Sequence, residues 1–343
     1  MRIAIVNDSL IARVALQRAV TSVPAHRVAW TAEDGRQAVE KAQLDKPDLI
    51  LMDLIMPVVD GVEATRRIMA ATPCPIVIVT SSVSGHMGKV YEAMGLGALD
   101  AVDTPELGAD GGMAGARFLL AKIETIAKLV GRAPALAKSG EASTSRSSGL
   151  LETGPRWPLV LIGSSTGGPA ALAEILSGLP PLPDAAIVVI QHVDSAFAPG
   201  LARWLSERAA RRVELIEPGT RPQPGRIFLA STDDHVVLDE EGRFRYLTDP
   251  IEVHYRPSVD VFFRSVAACR PEPGVAVVLT GMGRDGAAGL LALRRLGWLT
   301  IAQDEASSVI WGMPGAAVQA GAAALVLPPE RIALAILERL QTP

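Results

Sequence analysis

Residues 159–176 read LVLIGSSTGGPAALAEIL, and the order of residue types in this stretch decides the fold class. Leu159–Ile162 is an unbroken apolar run, the pattern of a strand buried on both faces rather than one alternating between core and solvent. Gly163-Ser164-Ser165-Thr166-Gly167 follows without a spacer, and Ala170–Leu176 carries a helical apolar pattern. A buried strand turning through glycines directly into a helix is the repeating unit of a parallel α/β sheet. Further strand-like runs stand downstream at Ala186–Ile190, Arg226–Leu229 and Val275–Leu279, with a helical pattern at Leu201–Ala210.

Upstream, Gly131–Arg156 is rich in Ala, Ser, Gly and Lys and has no apolar period, the composition of a linker. Ahead of it the alternation resumes. Strands are expected at Arg2–Val6, Val28–Thr31, Asp48–Met52, Ile76–Val79 and Ala98–Val102. Helices are expected at Ser9–Val20, Gly35–Leu44, Gly61–Ala71, Lys89–Met94 and Ala114–Val130. A chain of 343 residues exceeds the usual size of one core. The expected division is therefore residues 1–130, a linker at 131–156 and a second α/β domain at 157–343.

Composition narrows the functional classes. Nearly half of the residues, 49%, are hydrophobic, which argues against disorder. A formal net charge of −4 gives no basic surface for nucleic acid. The two cysteines, Cys74 and Cys269, lie far apart without metal-ligand spacing, as suits a reducing compartment. The opening MRIAIVND becomes acidic too soon for a signal-peptide core, and no apolar run reaches membrane-spanning length. A cytoplasmic protein without membrane insertion is expected.

Two constellations carry chemistry. In the first half, Asn7 and Asp8 follow one expected strand, Asp53 another, and Thr80 with Ser81 a third. Ligands of open parallel sheets bind at the carboxyl ends of the strands. Two carboxylates converging there make an oxygen-only site for Mg²⁺, and an aspartate beside the metal can accept a phosphoryl group. Asp8 alone could equally help to cap the following helix.

In the second half, Ser165 is the centre of G-x-S-x-G between strand and helix, where free backbone N–H groups can stabilise an oxyanion. The same loop could cradle a phosphate, although it lacks the Lys of a P-loop and the spacing of G-x-G-x-x-G. A serine nucleophile needs a base and a group to orient that base. Of the five histidines, His26 and His86 belong to the first domain, and His235 and His254 read as polar and turn-like. His192, directly after AAIVVIQ, should emerge on the same sheet edge as Ser165. Asp285, in the glycine-rich TGMGRDG after Val275–Leu279, completes the set.

Both halves resemble known families. VNDS, LMDLIMPVVDG and IVIVTSS resemble the receiver domain of response regulators. That resemblance implies Asp53 as phosphoryl acceptor, Mg²⁺ on Asp8, Asp53 and the Ile55 carbonyl, and Thr80 as the switching hydroxyl. Three positions depart from the receiver pattern: Asn7 replaces a second acid, Thr104 stands where a Lys is usual, and no aromatic residue occurs near Ala101.

IGSSTGGP, VIQHV, PSVDVFF, LTGMGRDGA and AQDEASSVIWGMPGAA resemble protein-glutamate methylesterases of bacterial chemotaxis. This implies a triad of Ser165, His192 and Asp285, with Thr166 and Met282 in support. It also implies two doubly wound parallel-sheet domains, flavodoxin-like and Rossmann-like. The implied activity is hydrolysis of glutamate γ-methyl esters on chemoreceptors, with glutamine deamidation, under control of a histidine kinase. No cofactor is implied for the ester chemistry itself. A receiver tethered to a non-catalytic binding domain is the rival, and loss of a triad residue would have favoured it. A DNA-binding regulator has no basic module in its support.

Overall fold

The computed structural model describes residues 1–80, 87–107, 113–114, 116–130, 157–193, 195, 197–251, 253, 255–269 and 272–341. The expected linker at 131–156, with Ser81, His86 and His254, lies outside the described residues.

The N-terminal part alternates strands β1 (Arg2–Val6), β2 (Arg27–Ala32), β3 (Leu49–Met52), β4 (Ile76–Thr80) and β5 (Asp100–Asp103) with helices α1 (Leu10–Thr21), α2 (Gly35–Leu44), α3 (Gly61–Ala71), α4 (Met87–Gly95) and α5 (Ala116–Val130). The strands form one parallel sheet in the order β2-β1-β3-β4-β5, and the two-residue strands β6 (Glu106–Leu107) and β7 (Met113–Ala114) pair antiparallel. Every residue of β3 and β4 is buried, as their unbroken apolar runs require of strands covered by helices on both faces. Short polar residues start the helices: Ser9, Asp34 and Asp60 accept from Ala12, Gln37 and Glu63 N–H groups at 3.4, 2.8 and 3.0 Å. Ser9, not Asp8, therefore caps α1, and Asp8 stays exposed.

The C-terminal part contains β8 (Leu159–Ser164), β9 (Ala186–Gln191), β10 (Val213–Leu215), β11 (Ile227–Leu229), β12 (His235–Leu238), β13 (Phe244–Leu247), β14 (Val275–Val278), β15 (Leu299–Gln303) and β16 (Leu325–Leu327). Its helices are α6 (Gly168–Gly178), α7 (Ala198–Ala209), α8 (Val259–Cys269), α9 (Ala287–Arg295), α10 (Met313–Gln319) and α11 (Pro329–Gln341). Seven strands form a parallel sheet in the order β10-β11-β9-β8-β14-β15-β16, and β12 and β13 make a separate antiparallel hairpin. The chain winds outward from β8 through β9, then returns to add β14 on the other side of β8. This reversal is the topological switch point at which doubly wound sheets open a crevice. The carboxyl ends of β8, β9 and β14 meet there.

The two sheets share one continuous apolar core. Helix α4 is the junction. Its Tyr91 is 1% exposed, donates its hydroxyl to the Phe197 carbonyl at 2.9 Å, and lies 6.0 Å, centroid to centroid, from Trp204 of α7. The Trp204 ring also closes over Gly95, where an added Cβ would stand 3.0 Å from it.

Candidate active site

Ser165 is the first residue beyond β8, and its position is fixed by backbone and side-chain bonds around it. Its N–H donates to the Thr280 carbonyl at 3.0 Å, which ties the elbow to the end of β14. Gly167 caps α6 at φ +80°, a left-handed conformation that favours glycine and lets the chain turn from strand to helix within three residues. Gly281 answers a different need: a Cβ there would lie 2.6 Å from the Ser165 Cβ and 2.4 Å from the Met313 sulfur. Gln191, the last residue of β9, accepts from the Ser164 hydroxyl at 2.6 Å and donates to the Ser165 and His192 carbonyls at 2.9 and 3.1 Å. Thr280 donates its hydroxyl to the Thr166 carbonyl at 3.0 Å and accepts from the Ile310 N–H at 2.9 Å.

His192 follows β9, and its N–H donates to the Ser164 carbonyl at 2.9 Å. Its Nε2 lies 2.7 Å from Asp285 Oδ2. Its Nδ1 is buried and has no hydrogen-bond partner among the described residues. The ring stacks on Tyr255 with centroids 4.8 Å apart and planes 3° from parallel.

Asp285 is 7% exposed. Burial alone would push its carboxyl up, but the contact and charge of His192, the Asp260 N–H and the Ser258 hydroxyl outweigh it and hold the carboxyl below the ordinary range. Three of its hydrogen bonds come from the start of α8: Ser258 Oγ at 2.8 Å, Val259 N–H at 2.7 Å and Asp260 N–H at 2.9 Å. A helix N-terminus with free N–H groups favours an anion in this position. Asp260 is the contrasting carboxyl. Burial, with the Asp285 charge beside it, pushes it up to about 6 against the opposing Gly289 N–H.

Ser165, Thr166, His192 and Gln191 line one cavity, whose opposite wall is Tyr91, Met94, Leu99, Asp100, Ala101 and Lys122. Asp285 stands behind His192. Met282 is half-buried in the loop after β14, which is fastened by bonds from Gly281 N–H to the Ile310 carbonyl and from Met313 N–H to the Gly281 carbonyl, at 3.0 and 2.8 Å. Sequence reading missed Gln191, Thr280, Ser258 and Tyr255. It also misjudged His235, which is not in a polar turn but fully buried at the start of β12, bonded through both ring nitrogens.

The first-half constellation also gathers on one sheet edge. Val6 and Met52 are register partners of β1 and β3, and the Asp53 N–H donates to the Val6 carbonyl at 2.9 Å, so Asp8 and Asp53 leave adjacent strands together. Asp53 Oδ1 accepts from the Leu54 N–H at 2.7 Å. Thr80 is buried at the end of β4, and its carbonyl accepts from the Thr104 N–H at 3.0 Å. The Thr104 hydroxyl is buried with no partner among the described residues. Asn7 turns its amide oxygen to the Ser9 N–H at 2.9 Å. Carboxylate oxygens such as those of Asp8 and Asp53 are hard donors of the kind that Mg²⁺ takes.

The chain matches two family models: the CheB methylesterase over residues 160–336 and the response regulator receiver domain over residues 3–107. A Pseudomonas putida protein named protein-glutamate methylesterase/protein-glutamine glutaminase of group 3 operon is 54% identical over 335 residues, 97% of each chain. A Burkholderia orbicola protein named protein-glutamate methylesterase/protein-glutamine glutaminase 2 is 50% identical over 343 residues, covering 99% of this chain and 100% of its own. The catalytic domain of a Thermotoga maritima CheB methylesterase superposes with a TM-score of 0.51 at 34% identity, over 54% of this chain and all of that one.

Proposed function

The chain belongs to the CheB methylesterase family, with a response-regulator receiver ahead of the esterase, and from that premise we propose that Ser165 hydrolyses glutamate γ-methyl esters on chemoreceptors under control of Asp53. The reading divides the chain into a receiver at 1–130, a linker at 131–156 and an esterase at 157–343.

The observation that carries it is the state of His192. Asp285 holds Nε2, so Nδ1 is the nitrogen left for the Ser165 proton; it is buried and without a partner among the described residues, and the His192 ring lines the same cavity as Ser165. Ser165 Oγ attacks the ester carbonyl while Nδ1 takes its proton. Asp285 stabilises the imidazolium so formed. Backbone N–H groups at the start of α6 and near Met282 stabilise the oxyanion, and Thr166 supports the elbow. The imidazolium returns its proton to the leaving oxygen and methanol departs. His192 then activates a water that cleaves the acyl-enzyme, freeing a glutamate and restoring Ser165. The same sequence on a receptor glutamine releases ammonia.

In the receiver, Asp8, Asp53 and the Ile55 carbonyl would hold Mg²⁺, which when bound offsets the charge of a phosphoryl group delivered from a histidine kinase. Asp53 accepts that group, and Thr80 is the hydroxyl that moves toward it. Residues of α4 and β5 line the Ser165 cavity together with Ser165 and His192, and in this reading they obstruct the approach of a receptor helix to the serine. Phosphorylation shifts the population toward an arrangement in which that wall has withdrawn. The proposed place of action is the cytoplasm, on the cytoplasmic part of a receptor; among the described residues no helix is long and apolar enough to cross a membrane.

The test is methanol release from methylated receptors, with and without a small phosphodonor. Release that rises with the phosphodonor and vanishes in Asp53→Asn supports the reading. A folded Ser165→Ala protein with undiminished release would remove Ser165 as the nucleophile.

A further inference from the structure

A second histidine stands behind the Ser165 site, out of reach of any substrate. His235 is fully buried at the start of β12, where the hairpin meets α8. Its Nε2 lies 3.2 Å from the Pro250 carbonyl, and its Nδ1 accepts from the Ser258 N–H at 3.3 Å. A carbonyl can only accept and a peptide N–H can only donate. The two contacts therefore select one neutral tautomer, with the proton on Nε2.

What His235 holds is the N-cap of α8. The Ser258 carbonyl accepts from the Phe262 N–H at 3.2 Å, and the Ser258 hydroxyl accepts from the Val261 N–H at 3.2 Å. That same hydroxyl donates to Asp285 Oδ1, and the next two N–H groups, Val259 and Asp260, complete the cradle. Pro257 has no N–H, so Ser258 is the first residue of this segment whose N–H can be anchored. The chain of bonds runs His235 to Ser258, Ser258 to Asp285 and Asp285 to His192.

We propose that His235 is a positioning residue for the esterase: it fixes the α8 N-cap whose donors aim Asp285 at His192 Nε2. This rests on the assignment of His192 as base. An apolar residue of similar size would leave the buried Ser258 N–H without its acceptor. The cap would then rotate to find another, and Asp285 would follow it. Small misplacements of a catalytic constellation lower the rate far more than they weaken substrate binding.

Three full-length variants separate this role from simple packing. His235→Asn sets an oxygen near the place of Nδ1 and keeps an acceptor for Ser258. His235→Gln reaches toward Pro250 but offers nothing to Ser258. His235→Leu offers neither. The measurements are kcat and KM for methanol release, the rate at which a fluorophosphonate labels Ser165, the low-field proton resonance of the His192–Asp285 hydrogen bond, and the thermal midpoint. The Leu and Gln variants are expected to lose about tenfold to a hundredfold in kcat and in labelling, with KM nearly unchanged and the low-field resonance shifted or lost. The Asn variant is expected to recover most of both. A folded Leu variant with wild-type kcat and labelling overturns the proposal. So does a set in which all three variants slow only in step with their thermal midpoints while the low-field resonance stays in place. If no variant, nor the wild type, releases methanol while labelling and resonance keep the expected order, the receptor-ester reading fails and the positioning role stands.

Discussion

Ser165, His192 and Asp285 come from three neighbouring strands, and each answers a separate chemical demand. His192 is the pivot because its two nitrogens are in different states, one bonded to a carboxylate and one without a partner among the described residues. Ser165→Ala is expected to reduce methanol release to background without unfolding, and His192→Ala to be comparably damaging, since members of such a unit fail together. Asp285→Asn keeps the shape but turns a donor or a weaker acceptor toward Nε2. It should cut kcat by several orders of magnitude, as loss of the orienting acid does in other serine triads, and steady-state kinetics on the three variants checks this. Asp260 supports a prediction about stability instead. Its carboxyl is pushed up to about 6, mainly by burial, whereas an unfolded Asp titrates near 4. The folded state thus binds the proton more tightly, so the favourable contribution is complete below pH ~4 and is lost as pH rises to about 6. Asp260→Asn keeps an acceptor for the Gly289 N–H and cannot ionise. Urea unfolding free energies should show the variant gaining on wild type from pH ~4 to pH ~6, by about 3 kcal/mol, and holding that gain above. A gap that does not vary with pH would contradict this assignment.

Helices and strands were legible in the sequence to different degrees, for physical reasons. Buried parallel strands such as β1, β3, β8 and β9 announce themselves as unbroken apolar runs, and the helices between them by their period. The edge strands β10 and β16 are three residues long and partly exposed, so no pattern marks them. His235 was misjudged because Asp233 and Asp234 precede it, and only the packing of the β12–β13 hairpin on α8 buries it. The candidate triad could be picked out because each member follows a recognisable strand. The donors that cradle Asp285 were not, because two of the three are backbone N–H groups at a helix start. Helix α4 was read correctly as an element, but its role was invisible from its own residues. Tyr91 shows why: its hydroxyl meets a carbonyl 106 positions away, and burial pushes its phenol far above the ordinary range. Tyr91→Phe removes that bond, while the Phe197 carbonyl keeps the Leu201 N–H at 3.1 Å. At about 0.5–1.5 kcal/mol for one hydrogen bond, esterase activity without phosphodonor should rise roughly twofold to tenfold. Unchanged basal activity would mean that this contact does not hold the closed arrangement.

The whole chain couples a receiver with an unusual acceptor site to an esterase whose cavity the receiver walls off. If that wall is inhibitory, a fragment of residues 157–343 should fold, since it holds a complete seven-stranded sheet, and should outpace the unphosphorylated full chain. Equal rates would argue against inhibition by the receiver. How strongly Asp53 relieves it depends on charge. A phosphoryl group brings negative charge to an edge that lacks the Lys usual in receivers, because Thr104 stands there. Among the described residues, two candidate cations are already engaged. Lys89 is paired with Asp60 at 2.8 Å, and Arg13 reaches the Asn7 and Asp8 carbonyls at 2.6 and 3.0 Å and Glu33 at 2.9 Å. Recruiting either one would break those contacts first. The Thr104 hydroxyl, buried without a partner among the described residues, adds a neutral donor at most. One charge-assisted contact of roughly 1.5–3 kcal/mol is therefore missing from the phosphorylated state. A switch moves only as far as its differential contacts drive it, so wild-type activation by a phosphodonor should be partial. Thr104→Lys should restore the contact and raise the phosphodonor-dependent gain in esterase rate about tenfold, with Asp53→Asn flat in either background. Phosphodonor titrations with Mg²⁺ on the single and double variants, reading label incorporation beside methanol release, decide the matter. Full activation of the wild type at stoichiometric label, with no further gain in Thr104→Lys, would show that Arg13 or Lys89 leaves its present partners to do the work of the absent lysine.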